Sequence, residues 1–161
     1  SARAYTGIEL MARDVARGEP ALRALPFAPR LVCADMRHAA LPACDLVVIL
    51  DVLHYVNIAE QDAVLQRVRD ALRAGAADSH THQAPRLLLR VGDAANRRGF
   101  AISQWVDRIV TMVRGHRVAP TWGRPLAAWI TQLQSLGFHV SSVPMSQGTP
   151  FANVLLVADL K

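Results

Sequence analysis

Three carboxylates stand at the ends of short apolar runs: Glu9 closes YTGIE, Asp35 follows RLVCA, and Asp51 follows LVVIL. An apolar run of strand length that ends on an acid puts a carboxylate at a strand's carboxyl end. In open α/β sheets that is where ligands bind. His54 lies three residues beyond Asp51, and its intrinsic pKa near neutrality suits a general base. Asp51, His54 and Tyr55 therefore read as facing a ligand crevice. His116, between Arg114 and Arg117 in an irregular stretch, is a second candidate base. His80 and His82, two apart in a polar loop without partner cysteines, make a poor metal site, and no metal is expected. Cys33 and Cys44 fall at strands and read as buried small apolar residues rather than a disulfide or metal pair.

The elements that must position these groups follow from periodicity. Leu46 to Leu50 is apolar on both faces, the pattern of a strand in the middle of a parallel sheet covered by helices. Asn57 stands three residues ahead of Glu60, a capping-box spacing that opens a helix burying Val64, Leu65, Val68 and Leu72. Upstream, Ala4 to Glu9 reads as a strand and Leu10 to Leu25 as a helix broken near Gly18 to Pro20. Arg30 to Ala34 reads as a second strand. Downstream, Ala74 to Pro85 reads as a loop and Arg86 to Val91 as a buried strand. Phe100 to Arg114 is amphipathic. Pro125 starts a helix carrying Leu126, Trp129, Ile130, Leu133 and Leu136 inward, with Gly137 as its C-terminal cap. Phe138 to Met145 and Asn153 to Leu160 are joined by a short link and must pair antiparallel.

Length and composition limit the function classes. At 161 residues, 52% of them apolar and 19% charged, the chain is a single ordered domain with a real core. No apolar run nears the roughly 20 residues of a membrane span. No signal peptide is visible, and a cytoplasmic protein is expected. The net charge of +5 comes from scattered residues, seventeen of the eighteen basic ones being Arg. The tightest sets, Arg97-Arg98 and Arg114 to Arg117, are too small for a phosphate-tracking patch, so no nucleic-acid partner is expected. Solvated helix faces, or attraction for an anionic small-molecule substrate, account for the charge better.

The order of these pieces resembles the class I S-adenosylmethionine-dependent methyltransferases. The matching stretches are Tyr5 to Glu9, Cys33 to Met36 (CADM), Asp45 to His54 (DLVVILDVLH), Leu72 to Gly75 followed by Leu87 to Leu89, and Leu136 to Phe138 (LGF). The resemblance implies a Rossmann-like α/β sheet, mostly parallel with an antiparallel C-terminal strand pair. It implies S-adenosyl-L-methionine as cofactor and methyl transfer to a small-molecule acceptor, a hydroxyl oxygen first.

The resemblance also implies residue roles. Glu9 would accept both ribose hydroxyls, because a carboxylate takes two hydrogen bonds from a vicinal diol. Asp35 would take the exocyclic amine of adenine and Met36 would pack on the ring, with Leu10 and Met11 touching the adenosine from the other side. Leu50 and Asp51 would border the methionine end, and His54 would serve as base. Residues 97–123 fall where the family varies its substrate lid. Trp105, Arg117 and Trp122 from that stretch, with Tyr55, would line a site for a phenolic or acyl-chain acceptor carrying negative charge.

Plainer readings stand beside these. Glu9 would equally favour a helix N-terminus, Asp35 would equally form a turn, and His54 would equally cap or pack. The family opens with a strand and a glycine-rich loop that this chain starts after, so it reads as a domain truncated at its N-terminus. The missing strand leaves a gap beside Leu46 to Leu50, to be filled by the Tyr5 strand or by a second chain as a homodimer. Two other classes remain. One is a non-catalytic Rossmann-like binding or dimerisation module. The other is a nicotinamide-dependent oxidoreductase, disfavoured because Asp35 to Asp45 is too short for a full crossover helix.

Overall fold

The computed structural model describes residues 4–25, 27, 29–78, 83–95, 121–145, 147 and 153–161. They form two units, Ser1–Leu41 and Pro42–Lys161.

In the first unit, β1 (Tyr5–Glu9) and β2 (Pro29–Cys33) pair in parallel, with Glu9 opposite Cys33. The helix α1 (Ala12–Leu22) makes the crossover between them. It does not break at Gly18 to Pro20 as the sequence suggests. Pro20 falls in the last turn, where its missing N–H removes a single backbone hydrogen bond just before the helix ends. Leu31 packs against Gly7 and Gly18, joining strand to helix. Among the described residues of this unit none is buried. Cys33 is exposed, and Cys44, in the second unit, is half-buried; neither is the buried residue expected from sequence.

The second unit is a four-stranded sheet in the order β3 (Leu46–Leu50), β4 (Arg86–Gly92), β6 (Asn153–Leu160), β5 (Phe138–Pro144). β3 and β4 are parallel, and β6 is antiparallel to both its neighbours, as the short link requires. Between β3 and β4 run a 3-10 turn (Leu53–Tyr55) and α2 (Ile58–Asp78). The capping box is formed in full: Glu60 N–H donates to Asn57 Oδ1 at 2.9 Å, and Asn57 N–H donates to Glu60 Oε2 at 3.0 Å. The helix then continues to Asp78, past the loop expected from Ala74. Gly75 allows this run to pass Cys44 closely, since a Cβ there would meet the Cys44 carbonyl oxygen at 2.2 Å.

The core consists of Val64, Leu65, Val68 and Leu72 from α2, Leu87, Leu89 and Val91 from β4, and Leu156 and Ala158 from β6. Trp129 and Leu133 of α3 (Leu126–Ser135) complete it. Each large apolar side chain so buried contributes about 1.5–3 kcal/mol. Gly137, at φ +91°, ends α3 in the left-handed region, which a side chain rarely adopts.

β3 departs from its sequence pattern. Among the described residues it pairs only with β4, and Leu46, Val48 and Leu50 are 51%, 51% and 47% exposed. It is an edge strand with one open face, not a strand covered on both. No described strand hydrogen-bonds to its other edge, and the pairing with the Tyr5 strand expected from sequence is not formed: β1 pairs with β2 in a two-stranded sheet of the first unit. The apolar run recorded what the residues suit, whereas their burial depends on which elements come alongside.

Candidate functional site

In the first unit the parallel register brings Glu9 and Asp35 to neighbouring strand tips. Ala34 N–H donates to the Glu9 carbonyl at 2.9 Å, which extends the ladder one residue beyond Cys33. Both carboxylates then find partners close by in sequence. Glu9 Oε1 accepts from Met11 N–H at 3.0 Å, at the entrance to α1. This is the helix-terminus role that any acid there could play. Oε2 of Glu9 has no hydrogen-bond partner among the described residues. Leu10 and Met11 beside it are 62% and 37% exposed.

Asp35 is more fully engaged. Oδ1 accepts from Arg37 N–H at 2.8 Å, and Oδ2 accepts from Arg37 Nε and Nη2 at 2.9 and 2.6 Å. Its carbonyl accepts from His38 and Ala39 N–H, closing a turn. The Arg37 guanidinium holds the Asp35 carboxyl below the ordinary aspartate value. Met36, between the two, is half-buried.

The second unit treats its acid differently. Asp51 sits at φ +55°, the left-handed region that Asp tolerates better than most residues. Its N–H donates to the Arg90 carbonyl at 3.2 Å, and Arg90 Nε donates to its Oδ2 at 2.6 Å. Arg90 Nη2 reaches the same oxygen. The carboxylate raises the Arg90 pKa above the ordinary arginine value, chiefly through this hydrogen bond. Leu50, opposite Arg90 in the ladder, is half-exposed.

Just beyond, the 3-10 turn carries His54 and Tyr55, whose rings lie 4.1 Å apart between centroids at 49°. Leu53 and Val56 on either side are buried, which anchors the turn from below. Trp122 is brought to the same place, its N–H donating to the His54 carbonyl at 2.8 Å. So Trp122, distant in sequence, is brought beside His54 and Tyr55. Trp105, His116 and Arg117, and most of the expected lid at 97–123, lie outside the described residues.

Sequence reasoning missed the groups that hold this cluster. Gln61 is fully buried, and its Nε2 donates to the carbonyls of Leu53, Val56 and Trp122 at 3.1, 3.0 and 2.9 Å. Arg124, only 7% exposed, donates from Nε to Gln61 Oε1 at 2.7 Å. Its Nη2 reaches the Ile58 carbonyl and Asp62 Oδ1, each at 2.7 Å. The guanidinium lies 4.9 Å from the Trp129 ring centroid. Asp93 Oδ1 accepts from Leu126 N–H at 3.0 Å and so caps α3. One signal was available: Gln61 falls on the same helical stripe as Leu65, Val68 and Leu72, where a polar residue must find partners. Nothing local marks Arg90 or Arg124 among seventeen arginines.

Residues 1–77 match the family described as a methyltransferase domain. Among solved structures, magnesium protoporphyrin IX methyltransferase from Synechocystis with bound S-adenosylhomocysteine superposes with a TM-score of 0.65 at 15% identity, over 97% of this chain and 63% of that one. The chain has the class I methyltransferase fold. A riboflavin-derivative N,N-dimethyltransferase from Streptomyces davawensis superposes at 0.63 and 16% identity, over 100% of this chain and 43% of that one. The mitomycin 7-O-methyltransferase does so at 0.67 and 18%, over 97% and 41%. The chain thus spans between about two-fifths and under two-thirds of the length of these enzymes. No curated protein sequence matches it. Among the described residues no helix is long and apolar enough to cross a membrane, and no cluster of ligands fit for a metal ion occurs.

Proposed function

We propose that this chain serves S-adenosylmethionine-dependent methyl transfer to a small molecule, with a hydroxyl oxygen as acceptor. The observation that carries the reading is the tip of β1, where an acid with an open Oε2 stands beside exposed Leu10 and Met11. A carboxylate oxygen with spare lone pairs, flanked by apolar side chains, fits a ribose hydroxyl next to an adenine ring. Asp35 fits less simply. Arg37 already occupies both its oxygens, so an adenine amine would share that carboxylate. When bound, the cofactor supplies an electrophilic sulfonium methyl group.

The remaining roles belong to this chain's own residues. Leu50 and Asp51 are assigned to the border of the methionine end, with Arg90 fixing Asp51. His54 is assigned the proton of the acceptor hydroxyl, since its intrinsic pKa lies near the working pH. Tyr55 and Trp122 are assigned to orient the acceptor against the methyl group, because alignment supplies most of the rate in an in-line displacement. The presence of both N- and O-methyltransferases among the similar structures leaves the acceptor atom to the residues, and a candidate base at His54 favours oxygen. The two free thiols fit a reducing, cytoplasmic setting.

Titration calorimetry of the 161-residue chain with S-adenosylhomocysteine tests the reading. Binding is expected, and Glu9→Gln is expected to weaken it by about 10- to 100-fold, the loss of a hydrogen bond to a charged group. A wild-type chain that gives neither heat nor thermal shift would sink the proposal. It would favour the second reading, a Rossmann-like module without catalysis, which the local satisfaction of Asp35 by Arg37 supports.

A further inference from the structure

We infer that Gln61, held in place by Arg124, is the positioning residue of the acceptor side, fixing His54, Tyr55 and Trp122 as one piece without touching substrate. This rests on the methyl-transfer reading above for its function, and on the hydrogen bonds alone for its geometry. A primary amide has two N–H hydrogens. Around Gln61 Nε2 three carbonyls converge within 3.1 Å: Leu53 and Val56, which flank the turn bearing His54 and Tyr55, and Trp122. The donor is therefore saturated and shared among three carbonyls from two backbone segments, the turn and the stretch at Trp122.

The amide's orientation is also fixed. Oε1 accepts from Arg124 Nε at 2.7 Å, and a flipped amide would set NH2 against a guanidinium. Arg124 in turn is tied to Ile58 and Asp62 at the start of α2. Its carbonyl accepts from Ala94 N–H at 3.2 Å, just past the end of β4. A buried guanidinium and a buried amide are costly unless every polar atom is matched. Here the matching groups come from the turn, α2 and the segment ahead of α3. A hydrophobic residue at 61 would fill the core as well as Gln61 does, but could not gather those carbonyls.

Gln61→Glu separates positioning from bulk stability, because it keeps the side-chain size and the acceptor for Arg124 while removing the amide donor. Native-state amide exchange of the 161-residue chain, read by NMR, is the measurement. Expected is at least a tenfold rise at Trp122, whose N–H bonds to His54, and at Val56, with Leu89 and Leu156 in the sheet changed less than twofold. The His54 ring Cε1–H resonance should move in the same variant. An equal rise at all four amides would reduce Gln61 to a stability role and overturn the inference, as would no change at Trp122 and Val56. If Gln61→Glu does not fold, Arg124→Lys is judged at the same four amides by the same criterion. Calorimetry with S-adenosylhomocysteine alongside keeps the two readings distinguishable. A wild-type chain that takes up none would sink the methyl-transfer reading while leaving the exchange result to decide the clamp.

Discussion

The tips of β1 and β2 and the tip of β3 all carry acids, yet they are held in opposite ways. Glu9 and Asp35 bond to groups two residues away, in a unit where no described residue is buried. Asp51 bonds across the sheet to Arg90, 39 residues on, and the turn beyond it rests on buried Leu53, Val56 and Gln61. A two-stranded sheet with one helix is too small to build a core. Its side chains satisfy themselves locally and remain open to solvent or ligand. The larger sheet has a core to spend on polar groups drawn from far apart, which suits residues that must keep a fixed mutual geometry.

The contrast is sharpest in packing. Leu133→Ala, at a fully buried position, should cost about 2–5 kcal/mol in urea unfolding followed by circular dichroism. Leu31→Ala, half-buried in the first unit, should cost less than about 1 kcal/mol by the same transfer arithmetic. Equal losses at the two positions would erase the distinction between the units.

A smaller effect separates the two arginines. Arg90→Ala removes the cross-strand partner of a carboxylate in a left-handed backbone and should destabilise by about 1 kcal/mol. Arg37→Ala removes a local, exposed partner and should shift the same unfolding midpoint by no more than a few tenths of a kcal/mol. A larger loss from Arg37→Ala would mean that the first unit depends on that pair more than its exposure suggests.

The smallest effect is in pH. Arg37 holds Asp35 below its ordinary pKa in the folded chain. The carboxylate's contribution to stability is therefore complete above the unfolded value near pH 4 and is lost as pH falls through the lower folded value. Asp35→Asn should lower stability slightly at neutral pH, and its difference from the wild type should disappear as pH falls below about 4. A difference that is absent at neutral pH and grows below pH 4 would be the wrong sign for this pair.

The elements were readable wherever the signal is local. Asn57 and Glu60 form their capping box because both partners lie within one turn. Gly137 ends α3 in a conformation that glycine tolerates, and the antiparallel pairing of β5 with β6 follows from a link too short for a crossover. Val64, Leu65, Val68 and Leu72 are buried as their spacing requires. The strand-tip acids were legible for the same reason: an apolar run and the residue that stops it are adjacent.

Only the tertiary structure could decide the rest. Leu46, Val48 and Leu50 have the composition of a covered strand, but they are about half exposed, because covering a face needs elements from elsewhere in the chain. Arg90 looks no different in sequence from Arg86, which faces Asp159 on an exposed ladder position, until the register sets it against the β3 tip. Gln61 and Arg124 are 63 residues apart, and no pattern of neighbours links them. Periodicity specifies which face of an element is apolar. Which distant polar atoms meet there depends on chain topology, because a hydrogen bond acts over about 3 Å and records nothing of the sequence between its ends.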